Sequence, residues 1–293
     1  MKTGWPTRSA LLHMRWAFSL FLMPVFLFAA SQVHHASSLN LLLVFICWHA
    51  LAYPASNGYN SYFDRDEGSI ALLKHPPKTD ISLYYFSLFL EVLAILLALF
   101  VGPLFALNIA VYGLLSKAYS HPRVRLKKYP WISFFVVFLF QGAFVFWASF
   151  LALLPEAAFR YGSRFFEAAF SCSFLIGASY PLTQIYQHDE DRRRGDITLS
   201  IRLGKTGTLI FSAFLFMVGF ALLTDYIFHT EKGFFFLFPG LLLMPAVLHF
   251  GFWFYRIRNN KGTAGFREAM RQSLLGAAGL LIFFSLLFAK NWF

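Results

Sequence analysis

LLLVFICWHALAYPA, residues 41–55, runs without a formal charge directly into SNGYNSYFDRDE, residues 56–67. The first half suits a lipid interior, and acid and amide side chains at the end of such a helix are costly unless something positive offsets them. Asn57, Asn60, Ser61 and Asp64 are spaced by three and four, so a helix presents them on one face. Oxygen donors arranged this way suit a hard cation such as magnesium, above all one that also holds substrate phosphates. The alternative reading at this point is a solvated helix end built of ordinary turn residues.

The surrounding chain sets the context. Of 293 residues, 58% are hydrophobic and 13% charged, whereas soluble proteins carry roughly a quarter charged residues. Long uncharged runs recur, which predicts an all-α, polytopic membrane protein. Nine transmembrane helices are expected: Trp16–Ser31, Leu41–Ser56, Ile81–Val101, Pro103–Ser116, Trp131–Leu154, Phe165–Gln187, Thr208–Phe228, Phe234–Tyr255 and Leu274–Phe288. Gly102-Pro103 marks a tight turn between the third and fourth. The first run leads into SQVHH, not a small-residue cleavage pattern, and is read as a retained span. Residues 1–293 are read as a single transmembrane domain, with no separate soluble part and no sequence repeat.

Nine spans put the termini on opposite sides. With the N-terminus cytoplasmic, all but Arg160, Arg164, Lys232 and Lys290 of the 25 Lys and Arg residues face the cytoplasm. That asymmetry fits the positive-inside rule and gives an integral protein of a bacterial-type inner (plasma) membrane. It also accounts for the net charge of +11 without nucleic acid: the basic residues meet anionic membrane lipid or an anionic substrate. Cys47 and Cys172 lie inside apolar runs and read as packing thiols, not as a disulfide or metal pair.

A second acidic stretch, Gln187-His-Asp-Glu-Asp191-Arg-Arg-Arg-Gly-Asp196, follows the sixth span as the first follows the second. An even number of helices separates them, so both emerge on the basic face. Two carboxylate clusters at matching helix ends could hold divalent ions and a diphosphate between them; the alternative is a charged loop with local ion pairs. A third segment on that face, Tyr119-Ser-His-Pro-Arg123-Val-Arg125-Leu-Lys127-Lys128, puts Arg123, Arg125 and Lys127 on one side if extended, where they could hold phosphate oxygens or simply set topology. Among isolated signals, Glu91 lies inside the third span, either functional or protonated and hydrogen-bonded to a neighbouring helix. His49 could bond a backbone carbonyl, and His188 could orient the second cluster.

These residues together resemble the UbiA-type intramembrane prenyltransferases. That family carries Asn-Asp-x-x-Asp after its second helix and Asp-x-x-x-Asp after its sixth, within nine helices. Here the first appears as Asn60-Ser61-Tyr62-Phe63-Asp64 and the second as Gln187-His188-Asp189-Glu190-Asp191. The run from Asp191 through Gly195, Thr198 and Leu199 to Arg202-Leu203-Gly204 is also similar, as is Tyr119-Ser120-x-Pro122-x-x-Arg125-Leu126-Lys127. Ser61 and Gly68 stand where the family pattern is acidic, and Gln187 replaces a carboxylate. Asp66, Glu67, Asp189 and Glu190 are the loop acids available to compensate.

The resemblance implies transfer of a prenyl group from a polyprenyl diphosphate to an aromatic or lipid-like acceptor, of the kind met in quinone biosynthesis, with Mg2+ as cofactor. It implies metal binding by Asn60, Asp64, Asp191 and Gln187, with Asp64 and Asp191 as the catalytic pair. It makes Arg65, Lys117, Arg123, Arg125 and Lys127 the residues expected to hold the diphosphate. A membrane transporter, or a protein that binds an isoprenoid without turnover, would use the same charged mouth and remains the alternative.

Overall fold

The computed structural model of the protein describes residues 5–33, 36–65, 67–154, 163–231, 233–259 and 264–292. Among them every regular element is a helix, and one isolated bridge pairs Ile70 with Leu73. In order these are α1 (Arg8–Met14), a 3-10 segment (Trp16–Phe21), α2 (Met23–Ser31), α3 (Ser38–Asp64), α4 (Ile81–Ala98), α5 (Pro103–Ser120) and α6 (Pro130–Leu153). There follow α7 (Ser163–Gln184), α8 (His188–Arg194), α9 (Leu199–Thr230), α10 (Phe238–Arg258) and α11 (Phe266–Trp292).

Seven of these, α3, α4, α6, α7, α9, α10 and α11, are long and apolar enough to cross a membrane, which makes this an integral membrane protein. An eighth arises if Arg8–Phe21 and Met23–Ser31, bent by 45° at Leu22, count as one span. The expected span Pro103–Ser116 is helical as part of α5, but Asn108, Ser116 and Lys117 break its hydrocarbon and keep it outside that set. By length and apolarity alone, seven of the described helices, or eight with the bent pair, meet the requirement for a span, against the nine expected.

Local chemistry sets the helix ends. The Asp80 carboxylate accepts from Leu83 N–H at 3.3 Å and starts α4. Pro103 and Pro130 open α5 and α6, where a missing N–H costs nothing. Two spans contain a π turn, Ile46–Ala52 in α3 and Leu139–Ala143 in α6. Each inserts residues into the helical repeat and rotates everything downstream. Gly142 lets the second one close on α7: a Cβ there would meet Ser173 Cα at 2.4 Å, and Ala143 N–H donates to Ser173 Oγ at 2.9 Å. Within α9, Gly204 adopts φ 69°, so Leu199–Leu203 leaves the axis of the rest.

The longest packed seam is between α7 and α9. Aromatic rings fill the centre, with Phe28 stacked on Phe284 at 4.5 Å and edge-on to Tyr226 at 5.4 Å. The imidazole of His49 packs among Phe26, Phe45 and Tyr53. Cys47 and Cys172 are buried free thiols. At the end away from Asp64, Arg164 bridges Glu167 (2.8 Å) and Asp225 (2.7 Å), and Lys290 pairs with Glu231. Lys2, Asp66, Arg160, Lys232 and Lys261 lie outside the described residues.

Candidate active site

Asp64 is the last residue of α3. Arg65 then adopts a left-handed conformation (φ 50°, ψ 46°), and its N–H closes on Ser61 O at 3.0 Å, so the chain turns away as soon as the carboxylate is in place. A carboxylate at a helix C-terminus faces the negative end of the macrodipole. Three cations offset that. Lys127 Nζ contacts Asp64 Oδ1 directly, while Arg125 Nη2 and Arg194 Nη1 each lie 3.9 Å away.

The segment after α5 is a turn followed by a 3-10 helix (Leu126–Lys128), not an extended strand, with Arg125 left-handed at φ 43°. Strict alternation therefore fails. Arg125 and Lys127 face inward, whereas Arg123 is exposed. Arg125 forms a two-pronged pair with buried Asp196, Nε to Oδ1 at 2.9 Å and Nη2 to Oδ2 at 2.7 Å. The Asp196 carboxylate holds the Arg125 pKa above its ordinary value.

In α8 the acids Asp189, Glu190 and Asp191 occupy the first turn and Arg192, Arg193 and Arg194 the last, which complements the helix dipole at both ends. Gly195 (φ 76°) ends it in a conformation that glycine adopts without strain. Asp191 is partly buried and makes no ion pair among the described residues. Burial, then the carboxylates of Asp196 and Asp64, push its pKa up to about 7 against the pull of Arg194 and Lys127.

Asn60, Asp64, Lys127, Gln187 and Asp191 line one cavity of about 210 Å³. Asn60 Oδ1 accepts from Ser120 Oγ at 2.7 Å, and Gln187 donates through Nε2 to Ser69 O at 3.3 Å, which leaves its carbonyl oxygen uncommitted. Among the described residues no three His, Cys, Asp or Glu side chains gather as a metal site. The donors here are two carboxylates and two amides. The cavity also takes in Arg15, Arg194 and Asp196, which the sequence did not single out as binding groups. Arg15 donates to Asn57 Oδ1 at 3.4 Å, and Arg194 lies on the Asp191 side of α8, three residues on.

Four other expected diphosphate ligands lie off the cavity wall. Arg65 and Arg123 are exposed to solvent. Lys117 is paired with Glu91 and lies 5.8 Å from the Tyr59 ring, on another face of α5 from Ser116, Tyr119 and Ser120, which do line the cavity. Glu91 is thus half of an intramembrane ion pair. Arg125 stands one layer back, behind Asp64 and Asp196. The departures from the family pattern also have physical explanations. Ser61 is fully buried and does not face the cavity. Under Gly68, Glu190 accepts from the backbone N–H groups of Glu67 (2.9 Å) and Gly68 (3.2 Å) and pairs with Arg194 at 2.8 Å. His188 ties α8 to α9 through Ser200 Oγ at 2.7 Å.

A second, apolar chamber of about 350 Å³ lies alongside, lined mainly by α2, α7, α9, α10 and α11. Phe18, Gln141, Tyr180 and Thr183 belong to both walls, and Tyr180 OH meets Tyr119 OH at 2.6 Å at the junction. Gln141 sits on the π turn of α6.

The fold is shared with solved membrane proteins. An Archaeoglobus fulgidus UbiA homologue bound to DMAPP and Mg2+ superposes with a TM-score of 0.69 at 16% identity, covering 96% of this chain and 99% of that one. A digeranylgeranylglyceryl phosphate synthase gives 0.63 at 18% identity over 96% and 98%. An apo UbiA homologue from Aeropyrum pernix gives 0.62 at 15% identity over 92% and 98%. No curated protein matches the chain. At these identities the structural likeness speaks for the fold alone, but the model of the UbiA prenyltransferase family matches residues 21–275, and the chain belongs to that family of membrane prenyltransferases.

Proposed function

We propose that the protein transfers a prenyl group from a polyprenyl diphosphate to an aromatic or other hydrophobic acceptor inside the bilayer, with Mg2+, in a cavity open to the cytoplasmic side of a bacterial-type inner membrane. The observation that carries this reading is the junction of two unlike chambers. One is ringed by Asp64, Asp191, Lys127, Arg194 and Arg15, the other is almost all hydrocarbon, and they share Tyr180, Thr183, Gln141 and Phe18. A prenyl diphosphate has the same two halves. The A. fulgidus homologue with DMAPP and Mg2+ supports the assignment of the polar half.

Magnesium fits the donor set. All the candidate ligands are oxygens, from Asp64, Asp191, Asn60 and Gln187, and the Asp191 carboxylate forms no ion pair among the described residues. Few protein ligands suffice for this ion when phosphates complete its shell. When bound, it neutralises the diphosphate as a leaving group.

The chain's residues do the rest. Lys127, Arg194 and Arg15 hold diphosphate oxygens as negative charge grows on them, which is the main catalytic demand. The C–O bond breaks, the diphosphate keeps the electron pair, and the allylic carbon gains a bond from the acceptor, which then loses a proton. Tyr180 lines both chambers and Tyr119 the polar one, so their rings are the candidates to stabilise the cation formed between the two. The apolar walls keep water from capturing it.

The test is incubation of the purified protein with prenyl diphosphates of several lengths and candidate acceptors, read by mass spectrometry. Product that requires Mg2+ and vanishes in Asp64→Ala and Asp191→Ala supports the reading. Full activity in either variant would refute the roles assigned. Diphosphate binding with no product under any condition would favour an isoprenoid-binding protein, a reading that Gln187 in place of a carboxylate keeps in play.

A further inference from the structure

A further polar cavity, of about 490 Å³, lies against α8. Tyr186 and Gln187 belong to its wall and to that of the Asp64–Asp191 cavity. Arg194 lines only the Asp64–Asp191 cavity, whereas Arg192, Arg193 and Lys205 line only this one. Two helices begin at it. Gly204 (φ 69°, ψ 172°) interrupts α9, so a helical segment starts afresh at Lys205 and runs to Thr230. Gly265, whose carbonyl accepts from Ala269 N–H at 3.2 Å, leads into α11 at Phe266. Gly204, Lys205, Gly265 and Phe266 all line the cavity. The start of a long helix carries the positive end of its dipole, which favours an anion.

A helix start is not by itself a site, and two independent observations point to a ligand. The first is His188, which lines the cavity and is only 7% exposed. Its Nε2 is engaged by Ser200 Oγ at 2.7 Å, and its Nδ1 has no hydrogen-bond partner among the described residues. As an N–H, Nδ1 donates to a phosphate oxygen; as a bare nitrogen, it accepts from a P–OH, so either tautomer suits a phosphate. The second is unspent positive charge. Lys205 makes no ion pair among the described residues, Arg193 Nε reaches only the Asp189 carbonyl at 3.4 Å, and Arg192 lies 3.8 Å from the Asp189 carboxylate. The acids on the wall do not cancel these cations. Asp189 is 97% exposed, and Glu190 is committed to Arg194 and to the N–H groups of Glu67 and Gly68.

We propose that this cavity is a second anion site, one that binds a phosphate group between α8, α9 and α11 without metal. A phosphate dianion has oxygens enough to meet Lys205, Arg193, Arg192 and His188 together, which the two oxygens of a carboxylate do not. The group comes either from free phosphate or from the headgroup of a phosphomonoester lipid such as phosphatidic acid. Because α8 carries Asp191 toward one cavity and Arg192 and Arg193 toward the other, an occupied site braces the helix that holds the candidate metal ligand. The inference does not rest on the prenyl-transfer reading.

The experiment uses the full chain in phosphatidylcholine nanodiscs free of divalent metal. One arm titrates inorganic phosphate by calorimetry; the other adds phosphatidic acid and counts retained lipid by native mass spectrometry. Lys205→Gln and Arg193→Gln, both at exposed positions that leave folding alone, are each expected to weaken binding about threefold to tenfold, and more together. Arg202→Gln removes the same charge from an exposed residue off the cavity wall and should change nothing. Loss in the first arm assigns the site to free phosphate, and loss in the second alone assigns it to a lipid headgroup. Binding that is unchanged in both arms, or that falls as far in Arg202→Gln, overturns the inference. So does a loss that follows Lys127→Met instead, which would put the anion in the Asp64–Asp191 cavity. Mg2+-dependent binding of geranyl diphosphate should stay within twofold of the parent in Lys205→Gln and Arg193→Gln. Failure of the parent to bind geranyl diphosphate would overturn the prenyl-transfer reading and leave this site standing.

Discussion

Asp64 has three cations within 3.9 Å, whereas Asp191, on the wall of the same cavity, has no ion pair among the described residues. In sequence the two look like equivalent halves of one device. Folded, they differ. Asp64 is already neutralised, and its main structural work is to anchor the segment that carries Lys127 and Arg125. Asp191 carries the unmet demand, so an incoming cation gains most there. Matching motifs on matching helix ends do not imply matching electrostatics, because the partners come from other segments.

The largest expected effect tests whether that inequality matters to chemistry. Asp64→Ala and Asp191→Ala should each lower turnover by about 100-fold or more, the usual scale for removing one preorganised electrostatic group. Their thermal stabilities should diverge. Asp64→Ala leaves Lys127, Arg125 and Arg194 short of counter-charge and should lose up to about 3 kcal/mol, while Asp191→Asn should lose nothing or gain. Equal melting shifts would erase the distinction. Next in size, Lys127→Met should raise the KM for prenyl diphosphate by about 10- to 100-fold, the worth of a charge-assisted hydrogen bond.

The third expectation concerns protons. With its pKa near 7, metal-free Asp191 holds its proton below that pH. Magnesium binding at pH 6 should therefore release about one proton and at pH 8 almost none, measured by calorimetry in buffers of different ionisation heat. Between the ordinary carboxylate range and about 7 the folded chain keeps a proton that the unfolded chain has lost. Metal-free stability should thus fall as pH rises through that window and level off above it. Asp191→Asn should remove both effects; if they persist, the carboxyl with the raised pKa is a different one. The smallest effects belong to Arg65→Ala and Arg123→Ala. Both residues are exposed and off the cavity wall, so activity should stay within about twofold.

Much of this was readable before folding, and the exceptions share a cause. Asp64, Asn60, Gln187 and Asp191 were legible because helix ends and an even count of crossings put them at one level. Lys117 was not, because its place depends on helical phase: Ser116 and Ser120 face the cavity, and one residue of rotation sends Lys117 to Glu91. Arg123 fell to a local turn where extended chain was expected, and Arg65 to a left-handed cap. The π turns at Ile46–Ala52 and Leu139–Ala143 leave no mark in an apolar run. Arg15 reaches its place through packing between distant segments, which no local pattern encodes.

Gly68 has one further implication. A Cβ at that position would come within 2.5 Å of Glu190 Oε2. Residues 68 and 190 therefore compete for one spot: a chain of this fold with an acid at the first should carry something small at the second, and a chain with glycine at the first is free to bring its negative group from the other helix. An exchange of the two, Gly68→Asp together with Glu190→Ala, is the natural double substitution, and either half alone leaves the spot crowded or vacant.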